Sequence, residues 1–236
     1  MALFGLIGHP VGHSFSKELF DRRFEGRHGY RLIDLESVEG LREKVRELGL
    51  EGFNVTIPHK RAVAEVVDRL TEVAETVGAV NCVRVEKDGS LIGENTDAEA
   101  FRGELEGFAG RRRALILGTG GAAQAVGYAL KRSGVEYEMV SRRPGNGTIS
   151  YEEAYERAEE VGMIVNATPV GMRPNEAETP WGRPELLTER HWVYDLVYNP
   201  SPTRLMREAA AKGAKVKDGM GMLRRQAELS WEFWGI

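Results

Sequence analysis

Cysteine is almost missing from this chain. Its one copy, Cys82, excludes an internal disulfide and any zinc site built on paired thiolates. The five histidines include no pair at a metal-binding spacing such as H-E-x-x-H, so no metal site is expected. An excess of one charge is also lacking. The 32 Lys and Arg against 36 Asp and Glu leave a formal net charge of −4 without a basic stripe, and no nucleic-acid partner is expected. No apolar run approaches the roughly 20 residues that a membrane-spanning helix needs, so no membrane partner is expected either. The opening stretch MALFGLIGHPVGHSF has neither a basic leader nor a small-residue cleavage site. It reads as a first buried strand of a cytoplasmic protein, not as a signal peptide. Repeats and low-complexity tracts are absent.

What is present is the composition of a soluble globular protein, 42% hydrophobic and 29% charged over 236 residues, enough for one large domain or two ordinary ones. Strand-like and helix-like segments alternate, which predicts α/β architecture with mostly parallel sheets. In the first half, strands are expected over 3–8, 30–35 and 52–56, with helices over 16–25, 37–48 and 60–70. The second of these helices shows its period in the stripe Val38, Leu41, Val45 and Leu48. The stretch AVNCVRVEKDGSLIGENTD reads as a hairpin turning at Asp88-Gly89, followed by a helix from 96 or 97 to about 105. After the loop GFAGRRR a second series begins. It has strands over 114–117, 137–140, 163–166 and 192–196, and helices over 122–133, 151–160 and 202–212. A long Pro-rich loop spans 168–184, and a last helix starts near 223. Two α/β lobes joined near 97–112 fit this pattern.

Two stretches carry chemistry. In GFNVTIPHK, Asn54 and Thr56 are two apart and share one face of a strand, Pro58 stops that strand, and Lys60 opens the next element. The carboxyl end of a strand is where open α/β sheets bind ligands, so a polar ligand site is plausible there; a solvated strand edge is the plainer alternative. In ALILGTGGAAQAVGYAL, Gly118, Gly120 and Ala123 fall on G-x-G-x-x-A between an apolar strand and an apolar helix. Gly118 allows the tight turn, Gly120 lets the backbone approach a pyrophosphate, and Ala123 permits close helix–strand packing. The helix start at Gly121 and Ala122 offers backbone N–H groups to an anion. Where an NAD site carries an acid after the next strand, this chain has Ser141, Arg142 and Arg143, while Glu138 falls too early, inside the strand. Guanidinium forks suit a 2′-phosphate and favour NADP over NAD; two solvated loop arginines are the alternative.

GLIGHPVGHSFSKELF, GFNVTIPHK, GAVNCV, GENTDAEAF, LGTGGAAQAV, VNATPVGM, YDLVYNPSPT and DGMGMLRRQAELSWEFW together resemble the shikimate dehydrogenase family, in order and over essentially the whole chain. The resemblance implies an enzyme that reduces 3-dehydroshikimate to shikimate with NADPH, in the pathway to aromatic amino acids. It implies a substrate-binding open α/β lobe over 1–97, completed by the C-terminal helix 221–236, and a Rossmann-type NADP-binding lobe over 98–220. By likeness, Ser14 and Ser16 hold the substrate carboxylate, Asn54 and Thr56 are polar substrate contacts, and Lys60 is the catalytic lysine. Asn81 and Asp97 bind ring hydroxyls, with Asp97 paired to Lys60, and Gln226 reaches the substrate from the last helix. Tyr198 lies near the bound substrate, while Asn166, Thr168, Gly171 and Gly221 lie along the cofactor. The SRR segment keeps only the arginine of the family's frequent N-R-T, and the chain is somewhat short for the family.

Other readings of single residues are simpler. Ser14 or Ser16 could cap the first helix. Gln226 could be a surface residue, although it shares a helix face with Met222, Leu229 and Phe233. His13 and His59 flank the site. The rival functions are a quinate/shikimate dehydrogenase preferring NAD, and a non-catalytic shikimate- or dinucleotide-binding module. Presence of both Lys60 and Asp97 argues against the second. The expected partner is the small-molecule substrate, and the protein is expected as a monomer or homodimer.

Overall fold

The computed structural model describes residues 1–12, 14–108 and 113–236. His13, and residues 109–112 of the GFAGRRR loop, lie outside the described residues. The chain divides into two compact units, Met1–Ala100 with Leu223–Ile236, and Phe101–Met222.

The first unit contains β1 (Leu3–Gly8), α1 (Ser16–Phe24), β2 (Gly29–Asp34), α2 (Leu41–Leu48), β3 (Gly52–Val55), α3 (Lys60–Val66), β4 (Arg69–Leu70), α4 (Glu72–Val77), β5 (Cys82–Val85), β6 (Leu91–Glu94) and the start of α5 (Thr96–Glu104). Its sheet has the order β2-β1-β3-β5-β6-β4. The sheet is mostly parallel, with β1–β2, β1–β3 and β4–β6 paired in parallel; β5 alone runs antiparallel, to β3 and, through the hairpin at Asp88-Gly89, to β6. One face buries Ile7, Phe53, Val55, Val63 and Val83; the other buries Phe4, Phe20 and Tyr30 against Trp234.

Several expected boundaries move, each for a local reason. The second helix starts only at Leu41, since Gly40 before it is left-handed at φ +73°. The third ends at Val66, where Val67 is extended, and Asp68 accepts from Leu91 N (2.7 Å) and from the Arg42 guanidinium. The residues expected to finish that helix therefore form β4. The short α4, not foreseen, is capped by Thr71, whose side chain accepts from Ala74 N.

The second unit contains β7 (Arg113–Leu117), α6 (Gly121–Arg132), β8 (Glu136–Val140), β9 (Thr148–Ile149), α7 (Tyr151–Glu156), β10 (Met163–Asn166), β11 (Trp192–Asp195), α8 (Arg204–Ala211), β12 (Lys215–Asp218) and the start of α9 (Met220–Trp234). Its sheet is parallel throughout, in the order β12-β11-β10-β7-β8-β9. The sequence pattern missed β9 and β12. The latter reads Lys-Val-Lys-Asp and lies at the sheet edge, where one apolar residue suffices. Leu115, Leu117, Ile164 and Val193 fill one core with Trp181. The helix expected over 151–160 is α7 followed by a 3-10 turn, Ala158–Glu160.

Candidate functional site

The predicted residues fall into two groups, one in each unit. In the first unit, β3 runs beside β1 with Asn54 opposite Leu6. The chain leaves β3 through Thr56, whose N–H donates to Ile7 O at 2.9 Å. This close approach requires Gly8, since a Cβ there would lie 2.3 Å from the Thr56 methyl. The turn delivers Lys60 to the first position of α3. Asp97 is delivered by the second position of α5, where Asn95 Oδ1 accepts from Ala98 N at 3.1 Å. Lys60 Nζ meets Asp97 Oδ2 at 2.5 Å, with side chains only 15% and 6% exposed. Removing two charges from water costs several kcal/mol for each ion, so such a pair holds only with good geometry.

Around this pair the amides are heavily engaged. Asn81 Nδ2 donates to Thr96 Oγ1 (2.9 Å) and Gln226 Oε1 (3.3 Å), while its Oδ1 accepts from Thr96 N (2.7 Å). Asn54 uses both amide hydrogens, toward Ser230 Oγ and Asn81 O, and its Oδ1 accepts from Tyr30. An amide has two donors and two acceptor lone pairs, so Asn54 keeps one lone pair and no donor for a ligand. Gln226 gives one hydrogen to Leu223 O (2.8 Å) and retains a second. At 8% exposure it is buried, not a solvated helix residue.

Ser14 and Ser16 lie together at the start of α1, with Ser14 Oγ donating to Ser16 Oγ at 3.1 Å. Phe15 is the cap residue and makes no side-chain cap bond, but Ser14 Oγ accepts from Ser16 N, the first N–H of α1, at 3.2 Å, so Ser14 also holds the helix start. His59 is buried with Nε2 2.6 Å from Leu35 O, which pins the start of α3 to the end of β2. That bond gives His59 a structural use.

In the second unit, Gly118 has φ +111°, and a Cβ there would press on the Thr168 methyl and the Ala167 carbonyl at 3.0 and 3.2 Å. Gly120 is exposed, nothing lies within 4 Å of its would-be Cβ, and no side chain caps the start of α6. Gly121 and Ala122 thus open a 12-residue helix at its positive end with no side-chain cap on their N–H groups. This arrangement fits a pyrophosphate. Ala123 is fully buried, and a further close helix–strand approach falls at Gly127, where a Cβ would meet the Tyr137 ring at 2.7 Å. The motif template did not mark that position. Past β8, Ser141 Oγ accepts from Arg143 N (3.1 Å) and donates to Arg143 O (3.0 Å), a turn that leaves Arg142 and Arg143 exposed. Glu138 is taken by Arg157.

Asn166 proves to be a builder of the loop after β10. It is fully buried; Oδ1 accepts from Thr168 N (3.0 Å) and Oγ1 (2.7 Å), and Nδ2 donates to Asp195 Oδ1 (2.8 Å) and Val170 O (3.2 Å). Its amide donors are both used, leaving the loop backbone and Thr168 to meet a ligand. Within the loop, Gly171 lies in the left-handed region at φ +96°. Asp195 also accepts from Thr203 Oγ1 (2.7 Å) and Val197 N (3.0 Å), and burial pushes its pKa up to about 6. Sequence reasoning passed over Asp195, although an acid closing the apolar run HWVY was a signal. Tyr198 is half-buried in the following loop. Gly221 packs against the Glu104 carboxylate, which a Cβ would approach to 2.6 Å at Oε1; Glu104 itself is held by Lys217 at 2.6 Å and Tyr194 at 3.3 Å.

Comparison with known proteins adds to this geometry. Residues 6–83 match the family described as shikimate dehydrogenase substrate binding domain. The chain is 37% identical over 257 residues to the shikimate dehydrogenase (NADP(+)) of Caldanaerobacter subterraneus subsp. tengcongensis, covering 98% of this chain and 91% of the relative. Against the enzyme of that name from Methanopyrus kandleri it is 39% identical, covering 98% and 89%. Among solved structures, shikimate 5-dehydrogenase from Thermus thermophilus in complex with NADP(H) and shikimate superposes with a TM-score of 0.88 at 34% identity, over 100% of this chain and 94% of that one. Quinate dehydrogenase from Corynebacterium glutamicum in complex with NAD gives 0.85 at 29% identity, over 100% and 94%.

Proposed function

This chain belongs to the shikimate dehydrogenase family, and from that premise we infer that it catalyses the reversible NADP-linked reduction of 3-dehydroshikimate to shikimate, a step in aromatic amino acid biosynthesis. The observation that carries its chemistry is the Lys60–Asp97 pair, drawn to 2.5 Å from positions 37 apart in the chain. NADPH, when bound, supplies the hydride. Addition of hydride to a ring ketone leaves negative charge on oxygen, which calls for a cation or proton at that atom. Lys60 is the group placed for this, as an ammonium that polarises the oxygen and as a general acid toward it. Asp97 orients the ammonium and accepts from a neighbouring substrate hydroxyl. Gln226, with one amide hydrogen to offer, is the second hydroxyl reader. Asn81 joins it through the 3.3 Å Asn81–Gln226 contact, one of the two longest bonds of its side chain and the one a hydroxyl can replace.

The two serines at the start of α1 are assigned to the substrate carboxylate, as neutral donors near a helix terminus. Thr56 lines the same side. In the second unit the turn at Gly118, Gly120, Gly121, Ala122 and Ala123 would hold the pyrophosphate, and Ser141, Arg142 and Arg143 the 2′-phosphate. Thr168, Gly171 and Gly221 are assigned to the cofactor, and Tyr198 to the substrate, by likeness to the family. The test is reduction of NADP or NAD by shikimate or quinate. Turnover fastest with shikimate and NADP supports the reading. Preference for quinate with NAD would replace it with the quinate dehydrogenase reading, and no turnover would leave a binding protein.

A further inference from the structure

Asn54 is held from two sides by residues to which the reaction assigns nothing, Tyr30 on β2 and Ser230 on α9. Tyr30 Oη donates to Asn54 Oδ1 at 2.9 Å, and Asn54 Nδ2 donates to Ser230 Oγ at 2.8 Å and to Asn81 O at 3.2 Å. Tyr30 and Ser230 are buried, at 4% and 0% exposure. The hydrogen-bond directions are fixed from one end. Ser230 gives its own proton to Gln226 O at 2.8 Å and so presents a lone pair to Asn54. Asn81 O can only accept, so a flipped Asn54 would set carbonyl against carbonyl. The Asn54 carbonyl must therefore face Tyr30, and the phenol must donate to it. A buried polar network of this kind is stable only when each member is satisfied.

We propose that Tyr30 and Ser230 are positioning residues for substrate recognition. They clamp the Asn54 amide in one orientation and tie it to the helix that carries Gln226. The chain of donors runs from Tyr30 through Asn54 and Ser230 to Gln226 O, joining β2 and β3 to α9. This rests on the reading of Ser14, Ser16 and Gln226 as substrate groups.

Tyr30→Phe and Ser230→Ala each delete one hydroxyl and almost no volume. Steady-state kinetics with shikimate and NADP varied in turn should show KM for shikimate raised roughly 5- to 10-fold in each, the scale of one buried hydrogen bond. Turnover and KM for NADP should stay within about twofold. Because both residues act through one amide, the double variant should be no worse than the worse single variant. An unchanged KM for shikimate, even with a lowered melting temperature, would overturn the proposal, as would fold-changes that multiply in the double variant. If one variant does not fold, the other's KM decides. Changing Ser14 and Ser16 together to Ala separates the two levels. A normal KM there overturns the substrate reading itself, whereas a raised KM beside normal Tyr30 and Ser230 variants overturns only the clamp.

Discussion

Lys60 and Arg142 are both cations assigned to a ligand, yet their surroundings differ completely. Lys60 is nearly closed off from water and locked to Asp97, whereas Arg142 stands exposed on the loop after β8. Sequence showed the residue types at both places. That positions 60 and 97 meet was implied only by the family resemblance and not by residue type or spacing, because it is the fold that brings β6 and β3 into one sheet through β5. Nor could sequence show how much of each amide is left for a ligand. Asn54, Asn81 and Asn166 were legible as polar residues in motifs, but their partners Tyr30, Ser230, Thr96 and Asp195 lie far away in the chain. The exposed arginine carries the prediction for cofactor choice. A 2′-phosphate meets a guanidinium through charge-assisted bonds worth about 1.5–3 kcal/mol, and NAD has only a hydroxyl there. Arg142→Ala should raise KM for NADP roughly 10-fold or more and leave KM for NAD nearly unchanged. Arg143 can share this contact, so the double variant should lose more. Equal losses for NADP and NAD would mean that Arg142 supports the loop and does not read the phosphate.

Among the elements, those with a clear period were legible and those fixed by a single contact were not. The strands β1 and β10 and the glycine turn before α6 follow from apolar runs bounded by glycine. The end of α3 was illegible because it depends on Asp68 being drawn to Arg42 and to β6. The last helix α9 was visible as a pattern, but its seat was not. Trp234 stacks on Phe4 with centroids 4.6 Å apart, and its indole N–H donates to Val83 O at 2.9 Å. It fits only because Gly52 has no side chain; a Cβ there would lie 2.6 Å from the indole. Trp234→Ala should cost about 3–5 kcal/mol of stability in denaturant titration. Since α9 carries Gln226 and Ser230, shikimate binding should weaken with it. Trp234→Phe keeps the stacking and loses the N–H bond, so about 1–3 kcal/mol is expected. A Trp234→Ala protein of normal stability would show that α9 is seated by something other than this residue.

For the molecule as a whole, the clearest pH dependence in stability comes from a group outside the chemistry. Burial raises Asp195 from 3.8 to about 6, so the folded chain binds this proton more tightly than the unfolded chain. Its contribution is complete where both states are protonated and is lost as pH rises through about 6, a change on the order of 3 kcal/mol. Asp195→Asn can keep the same geometry, with its oxygen accepting from Asn166 and Val197 and its NH2 donating to Thr203. The variant should gain stability relative to the parent as pH rises from about 4 to 7, read as the difference in melting temperature. Parallel melting curves would remove Asp195 from the pH response. The reaction itself is tested most directly through Lys60. Turnover of Lys60→Ala at saturating shikimate and NADP should fall by about 100-fold or more, the scale of losing a positioned acid or electrophile. Shikimate affinity, measured separately by calorimetry, should change by only a few-fold. A variant that turns over within a few-fold of the parent would contradict the assignment of Lys60 and Asp97 as the groups that meet the reacting oxygen.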